Sequence, residues 1–217
     1  MTIDHIGLLL FPDILILRIL GRLAFPIFAF CIADGLKHTR SIKRYILLLF
    51  IFAIISQIPY HFIFQPQVKL NILFTFLIGI AFILSLNKIG ANGNISNKFL
   101  AIVFLILLST LCIVDLYLRI IEYSLFGVLL VVTFYYLDYN KISSYLTPTI
   151  LILLMTLYNL LIYSFNFHNS IYIFALLALP LIYFYNNEKG KFNIKYLFYI
   201  FYPTHLLLLY LIKITCF

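Results

Sequence analysis

The chain predicts an all-α fold, a polytopic integral membrane helical bundle of about eight or nine transmembrane helices. Three observations predict it. Of 217 residues, 65% are hydrophobic and only 10% charged, with a mean hydropathy of +1.11. A soluble domain of this size needs about a quarter of its residues charged to cover its surface. The apolar residues fall into runs of membrane-crossing length separated by short polar breaks. Lysine and arginine are concentrated in alternate breaks.

The segments follow in order. The first, Met1 to Phe11, ends at Pro12-Asp13. The next run from Ile14 to Gly35, Ile42 to Phe64, Leu70 to Leu86, and Phe99 to Val114. Four more run from Leu118 to Leu137, Leu146 to Phe165, Ile171 to Tyr185, and Tyr196 to Ile214. Asp115, Arg119 and Glu122 also allow an interfacial segment between Cys112 and Tyr123. Pro26 predicts a kink in the second segment, or a place where a partner helix re-satisfies its backbone. The first segment is short: eleven helical residues reach roughly 16 Å, about half of a bilayer core. The expectation is a truncated first helix with about nine further residues upstream, or else a segment that enters halfway. Residues 1–217 read as one integral membrane domain.

Charge sets the orientation. With the loop after the second segment inside, the inner loops hold ten Lys/Arg: Lys37, Arg40, Lys43, Arg44, Lys88, Lys98, Lys141, Lys189, Lys191 and Lys195. The outer side holds three, Lys69, Arg119 and Lys213. The positive-inside rule therefore predicts a multi-pass protein of a bacterial inner membrane with its C-terminus outside. The net charge of +8 is loop charge facing anionic lipid, and no basic run long enough for nucleic acid exists. No cleavable signal peptide is expected. Cys31, Cys112 and Cys216 lack metal or redox spacing and read as buried apolar residues. No metal is predicted.

Against this background Asp4, His5, Arg18 and Arg22 stand out. Ionisable groups at membrane depth are costly and mark sites. Taking Pro12-Asp13 as the outer surface, His5 lies roughly 10 Å deep, Arg18 roughly 8 Å and Arg22 roughly 14 Å. The arginines share a helix face. Gln57, His61, Asn71, Thr75 and His205 fall in the same half of the bilayer and are candidate site-lining or catalytic groups. Each alternatively makes an interhelical hydrogen bond. Two arginines without nearby acidic partners point to a bound anion or a developing negative charge. That leaves two function classes open: an enzyme, or a small transporter or channel for an anionic solute. No internal repeat of the transporter kind is visible.

The strings "MTIDHIG", "LRILGRLAFPIFAFCIADGLKHTRSIKRY", "ISQIPYHFIF", "LNILFTFLIG" and "YLFYIFYPTHLL" resemble the TraX family, named for the protein that acetylates the N-terminus of F pilin. The resemblance is dense over residues 1–80, looser to about 190, and returns around Tyr199 to Leu206. It is similar in turn to the wider group of transmembrane acyltransferases. It implies an all-helical acetyltransferase that moves an acetyl group from cytosolic acetyl-CoA to an acceptor across the membrane. The acceptor is a protein or peptide amine such as pilin, a sugar or a lipid. By the resemblance His5 matches the motif histidine, and Arg18, Arg22, His38 and His205 lie in matching motifs. Acyl transfer needs a base and an oxyanion donor, and a histidine suits the first task. Asp4 points about 100° away from His5 on a helix, so an Asp-His dyad stays open. The basic loop of Lys37, His38, Arg40 and Arg44 suits the 3′-phospho-ADP of a CoA, or is plain positive-inside charge.

Overall fold

The computed structural model describes residues 1–64, 69–91, 94–163, 170–186, 188 and 195–216. Among them the only strand-like pairing is an isolated bridge between Leu70 and Ile121; the rest of the regular structure is helical. The helices are α1 (Thr2–Leu9), α2 (Leu15–Arg22), α3 (Ala24–His38), α4 (Ile42–Ile63), α5 (Ile72–Gly90), α6 (Ile95–Leu118), α7 (Ser124–Tyr135) and α8 (Leu146–Tyr163). A 3₁₀ stretch, Ile171–Leu177, leads into α9 (Ala178–Tyr183), and α10 (Lys195–Cys216) ends the chain.

Six of these segments are long and apolar enough to cross a membrane: Leu15–His38, Ile42–Ile63, Ile72–Gly90, Ile95–Leu118, Ile142–Ile162 and Tyr196–Thr215. Ser124–Tyr135 and Ile171–Tyr183 are shorter apolar helices. With α1, each expected segment has its counterpart, and the chain is a multi-pass membrane protein. Most boundaries lie within four residues of expectation, as in Ile72–Gly90 and Ile95–Leu118, and two differ for reasons that bear on the site. The second segment breaks at Leu23 and not at Pro26, because Pro26 stands in the first turn of α3, where its missing N–H removes no bond. The sixth begins at Ser124 and not Leu118. Asp115 closes α6 there: it is 4% exposed, and its carboxylate takes the Ile120 and Ile121 N–H groups at 2.9 and 2.8 Å and the Ser124 hydroxyl at 2.6 Å.

Local chemistry explains the other starts. Ser41, Asn71 and Asn94 cap α4, α5 and α6 by accepting backbone N–H groups of Arg44, Leu73 and Ser96. In the packing, α4 lies along α10, α1 along α2, and α7 against both α3 and α5. Phe76, Ile80, Ile83, Leu130, Val131 and Phe134 are fully enclosed at the centre. By contrast α6 buries only Ala101, Leu108, Cys112 and Asp115, leaving the rest of its surface outward.

Candidate functional site

The site is built on the α1–α2 hairpin. Two glycines let these helices touch. A Cβ on Gly7 would meet the Leu17 Cβ at 2.8 Å, and one on Gly21 would meet the Asp4 Cβ at 2.3 Å. Contact this close sets Asp4 beside the two arginines on the facing helix. Arg18 Nη1 donates to Asp4 Oδ1 at 2.7 Å and to the Asp4 carbonyl at 2.9 Å. Arg22 Nη2 donates to Asp4 Oδ2. The expectation of two arginines without an acidic partner is thereby corrected: one carboxylate serves both, through both of its oxygens. The balance still leaves one positive charge. The Nε–H groups of Arg18 and Arg22 have no hydrogen-bond partner among the described residues. Arg22 also approaches the Tyr123 hydroxyl at 3.5 Å and stands over the Tyr172 ring, 5.0 Å from its centroid.

His5 leaves α1 on another side and does not pair with Asp4. Its Nδ1 lies 3.2 Å from Nε2 of His205 on α10, and His205 Nδ1 lies 2.9 Å from the Phe201 carbonyl. The tautomers can be assigned from these partners. A carbonyl only accepts, so His205 Nδ1 carries a proton. With both rings neutral, His205 Nε2 is then an acceptor and His5 Nδ1 its donor. Nε2 of His5 is left with its lone pair. The rings are nearly parallel at 4°, and Phe64 packs its edge against His5.

These groups line a cavity of about 240 Å³. Asp4, His5, Arg18 and Arg22 form one wall, and Tyr60, Tyr123, Tyr158 and Tyr172 contribute phenol rings. Lys69, Arg119 and Glu122 line it too. The 119–124 loop is held in an unusual shape, with Arg119, Tyr123 and Ser124 all at positive φ (57°, 60° and 49°). Such backbone is costly for residues with side chains and collects at functional sites. Three contacts fix it: Asp115, the Leu70 backbone, and a 2.6 Å bond from the Thr75 hydroxyl to the Glu122 carbonyl.

A second, largely apolar groove of about 400 Å³ lies between α3, α4, α5 and α10. His38 and Thr39 line it, as do Met1, Ile72 and Tyr202. The last three also line a narrow gap beside Asp4, His5 and Glu122.

Several expected site residues serve elsewhere. Gln57 donates to the Lys69 carbonyl at 2.6 Å and accepts from the Asn71 amide at 2.9 Å. Asn71 donates to the Ala53 carbonyl at 2.8 Å. His61 is exposed. None of Gln57, His61, Asn71 and Thr75 lines the cavity; three of them tie helices and loops together, as polar groups in membrane bundles do. His205 stands behind His5 rather than on the wall. Lys37, His38, Arg40 and Arg44 lie at the opposite end of α3 from the cavity. Lys37 donates to the Tyr139 hydroxyl at 3.1 Å and sits over its ring, while His38, Arg40 and Arg44 are exposed. Conversely, Glu122 and Tyr123 belong to the site and were not expected there. Their signal was the charge of Asp115, Arg119 and Glu122 inside an apolar stretch.

The sequence matches the family model described as TraX protein over residues 1–213. The chain belongs to the TraX family. An uncharacterized protein of Rickettsia prowazekii (strain Madrid E) is 39% identical over 83 residues, 38% of this chain. The match spans only 32% of that relative's length. No solved structure matches the chain.

Proposed function

We propose that this TraX family protein is an integral membrane acyltransferase. It moves an acetyl group from acetyl-CoA to the amine or hydroxyl of an acceptor, a peptide such as a pilin N-terminus, a sugar or a lipid. The observation that carries this reading is the His5–His205–Phe201 hydrogen-bond chain, which leaves His5 Nε2 unprotonated in the wall of a cavity that also holds guanidinium and phenol donors.

In the proposed step, His5 Nε2 takes the proton of the acceptor N–H or O–H as that atom attacks the thioester carbonyl carbon. His205 Nε2 steadies the developing imidazolium by accepting from His5 Nδ1–H. Arg22 and the Tyr123 hydroxyl are placed to donate to the oxyanion. When the tetrahedral adduct collapses, the C–S bond breaks and the thiolate leaves with the proton from His5. The products are the acetylated acceptor and free CoA. Asp4 keeps the arginines in place and is not itself a base, since both of its oxygens are committed to guanidinium groups.

The bias of Lys and Arg toward the α3–α4, α5–α6 and α7–α8 connections supports an inner-membrane orientation with these loops cytoplasmic and the C-terminus outside. The loop of Lys37, His38, Arg40 and Arg44 would then meet the phosphates of the donor, and the groove lined by His38 and Thr39 opens beside it.

The test is transfer of label from acetyl-CoA in membranes carrying the protein. His5→Asn should keep expression and lose about 100-fold in rate. His205→Asn should lose less, about tenfold, because it removes the partner and not the base. A fully active His5→Asn protein would overturn the assignment. Anion uptake into vesicles without any acetyl transfer would favour a transporter instead.

A further inference from the structure

Away from the His5 cavity, α4, α5 and α6 together form a groove of about 500 Å³. Ile46 of α4 lines it, with Leu77, Ala81 and Leu84 of α5 and Ala101 and Phe104 of α6. Both α4 and α6 pack on α5, and the small Ala81 and Ala101 side chains leave room between them. Among the described residues its polar side chains are Ser85 and Lys88. The Ser85 hydroxyl already donates to the Ala81 carbonyl at 2.9 Å, so below Lys88 the groove is apolar.

The groove is one leaflet deep. Lys88 stands near the end of α5, and Leu77 lies eleven residues before it. Eleven residues of helix cover roughly 16 Å, close to half of a bilayer core of about 30 Å. The groove therefore runs from the membrane surface to the midplane. No water fills an apolar space at that depth, so apolar matter does. A spanning helix of a second copy would need a groove of full membrane depth, and this one stops halfway.

The surface end is basic. Lys88 lines the groove and is exposed. Lys43 precedes Ile46 by three residues and Lys98 precedes Ala101 by three, so each shares a helix face with a lining residue. One cation thus comes from each of three helices. None of the three has a hydrogen-bond or ion-pair partner among the described residues. Nor do carboxylates on these helices offset them: α4 and α5 carry none, and Asp115 of α6 is at its far end. Asp34 faces His38 at 3.4 Å, Asp138 faces Lys141 at 3.1 Å, and Glu188 accepts from the Asn186 amide at 3.2 Å.

We propose that this groove binds one anionic glycerophospholipid, with an acyl chain lying along α5 and the phosphate held by Lys43, Lys88 and Lys98. Basic pockets between membrane helices select anionic headgroups, and each lysine near the surface favours them about fivefold. The lipid would join α6, which buries few side chains of its own, to α4 and α5. The site is independent of the acyltransferase reading.

The test uses the purified full chain in neutral detergent with a trace of phosphatidylglycerol carrying a photoreactive diazirine in one acyl chain. Labelled residues are mapped by mass spectrometry while unlabelled phosphatidylglycerol or phosphatidylcholine is titrated in. Labelling should be saturable, fall between Leu77 and Leu84 and between Leu100 and Phe104, and yield to phosphatidylglycerol at far lower concentration than to phosphatidylcholine. Lys88→Gln and Lys98→Gln should each weaken phosphatidylglycerol competition about fivefold. Lys88→Arg should keep it, and Lys141→Gln, on a different loop, should leave it unchanged. Ala81→Leu should reduce labelling with the lysines intact; should that variant fail to fold, the exposed Lys88 substitutions still decide. Equal competition by the two lipids, or unchanged competition in both Gln variants, would overturn the proposal. So would absent labelling in a protein that runs as a dimer by native mass spectrometry, which would assign the groove to a second copy. Loss of acetyl transfer in any of these variants is not required, so failure of the acyltransferase reading leaves this site standing.

Discussion

Asp4 governs the buried charge of the site, and its loss should be felt more than that of either arginine. Removing it leaves two guanidinium groups facing each other with side-chain exposures of only 14% and 7%. Breaking a buried pair in this way costs about 3–5 kcal/mol. Asp4→Asn is therefore expected to lower the unfolding midpoint markedly, and Arg18→Gln much less, because the Asp4–Arg22 pair survives it balanced. Thermal unfolding in detergent checks the order; equal losses would mean that the two bridges do not share one carboxylate. Arg22→Lys should keep the charge but lose the planar fork that reaches both Asp4 and Tyr123, so acetyl transfer should fall with little change in stability. At this scale the sequence was half legible. It marks Asp4, His5, Arg18 and Arg22 as buried polar groups that must converge. It does not give directions, so Asp4 reads as a neighbour of His5 when it belongs to the arginines. The His5–His205 contact joins residues 200 positions apart, and only the packing of α1 on α10 makes it.

Among the elements, the α1–α2 hairpin has the tightest tolerance. The Cβ of an alanine at Gly21 would lie 2.6 Å from the Asp4 Cα and 2.3 Å from its Cβ. These atoms belong to the backbone and the first side-chain bond, so no rotamer change relieves the clash. Gly21→Ala should push α1 away, break both bridges to Asp4, and lower thermal stability by more than the loss of Arg18. Gly90→Ala is the control: its Cβ would meet nothing within 4 Å, and the midpoint should hold or rise slightly. If the two variants unfold alike, the helices do not approach as described. The elements were legible by length and apolarity, and each expected segment has a helical counterpart. What apolarity does not report is where a helix stops for reasons other than glycine or proline. The α6–α7 turn uses Arg119, Tyr123 and Ser124 at positive φ, with no glycine or asparagine at any of the three positions. The carboxylate of Asp115, the Leu70 backbone and the Thr75 hydroxyl, read from the structure, explain why they hold that shape.

For the whole molecule, the decisive quantity is the ten-to-three distribution of Lys and Arg. Lys69 and Arg119, two of the three exceptions, both line the cavity that holds His5. This makes the orientation worth measuring directly. Single cysteines at Asp13, in the exposed α1–α2 turn, and at Arg40 and Lys141, both exposed, can be placed in a background with Cys31, Cys112 and Cys216 replaced by alanine. A membrane-impermeant maleimide should label the position 13 cysteine in intact cells. The other two should label only after the membrane is opened. Asp13 and Arg40 flank the Leu15–His38 segment, whose 24 residues reach about 36 Å at 1.5 Å per residue, enough to cross despite the break at Leu23. Labelling of both from the same side would mean that this segment does not cross. The hairpin, the cavity and the basic loop would then share one surface, and donor and acceptor would no longer meet from opposite sides. Labelling from opposite sides, with Arg40 protected in intact cells, would put the His5 cavity toward the exterior and leave the donor only one approach, through the bundle.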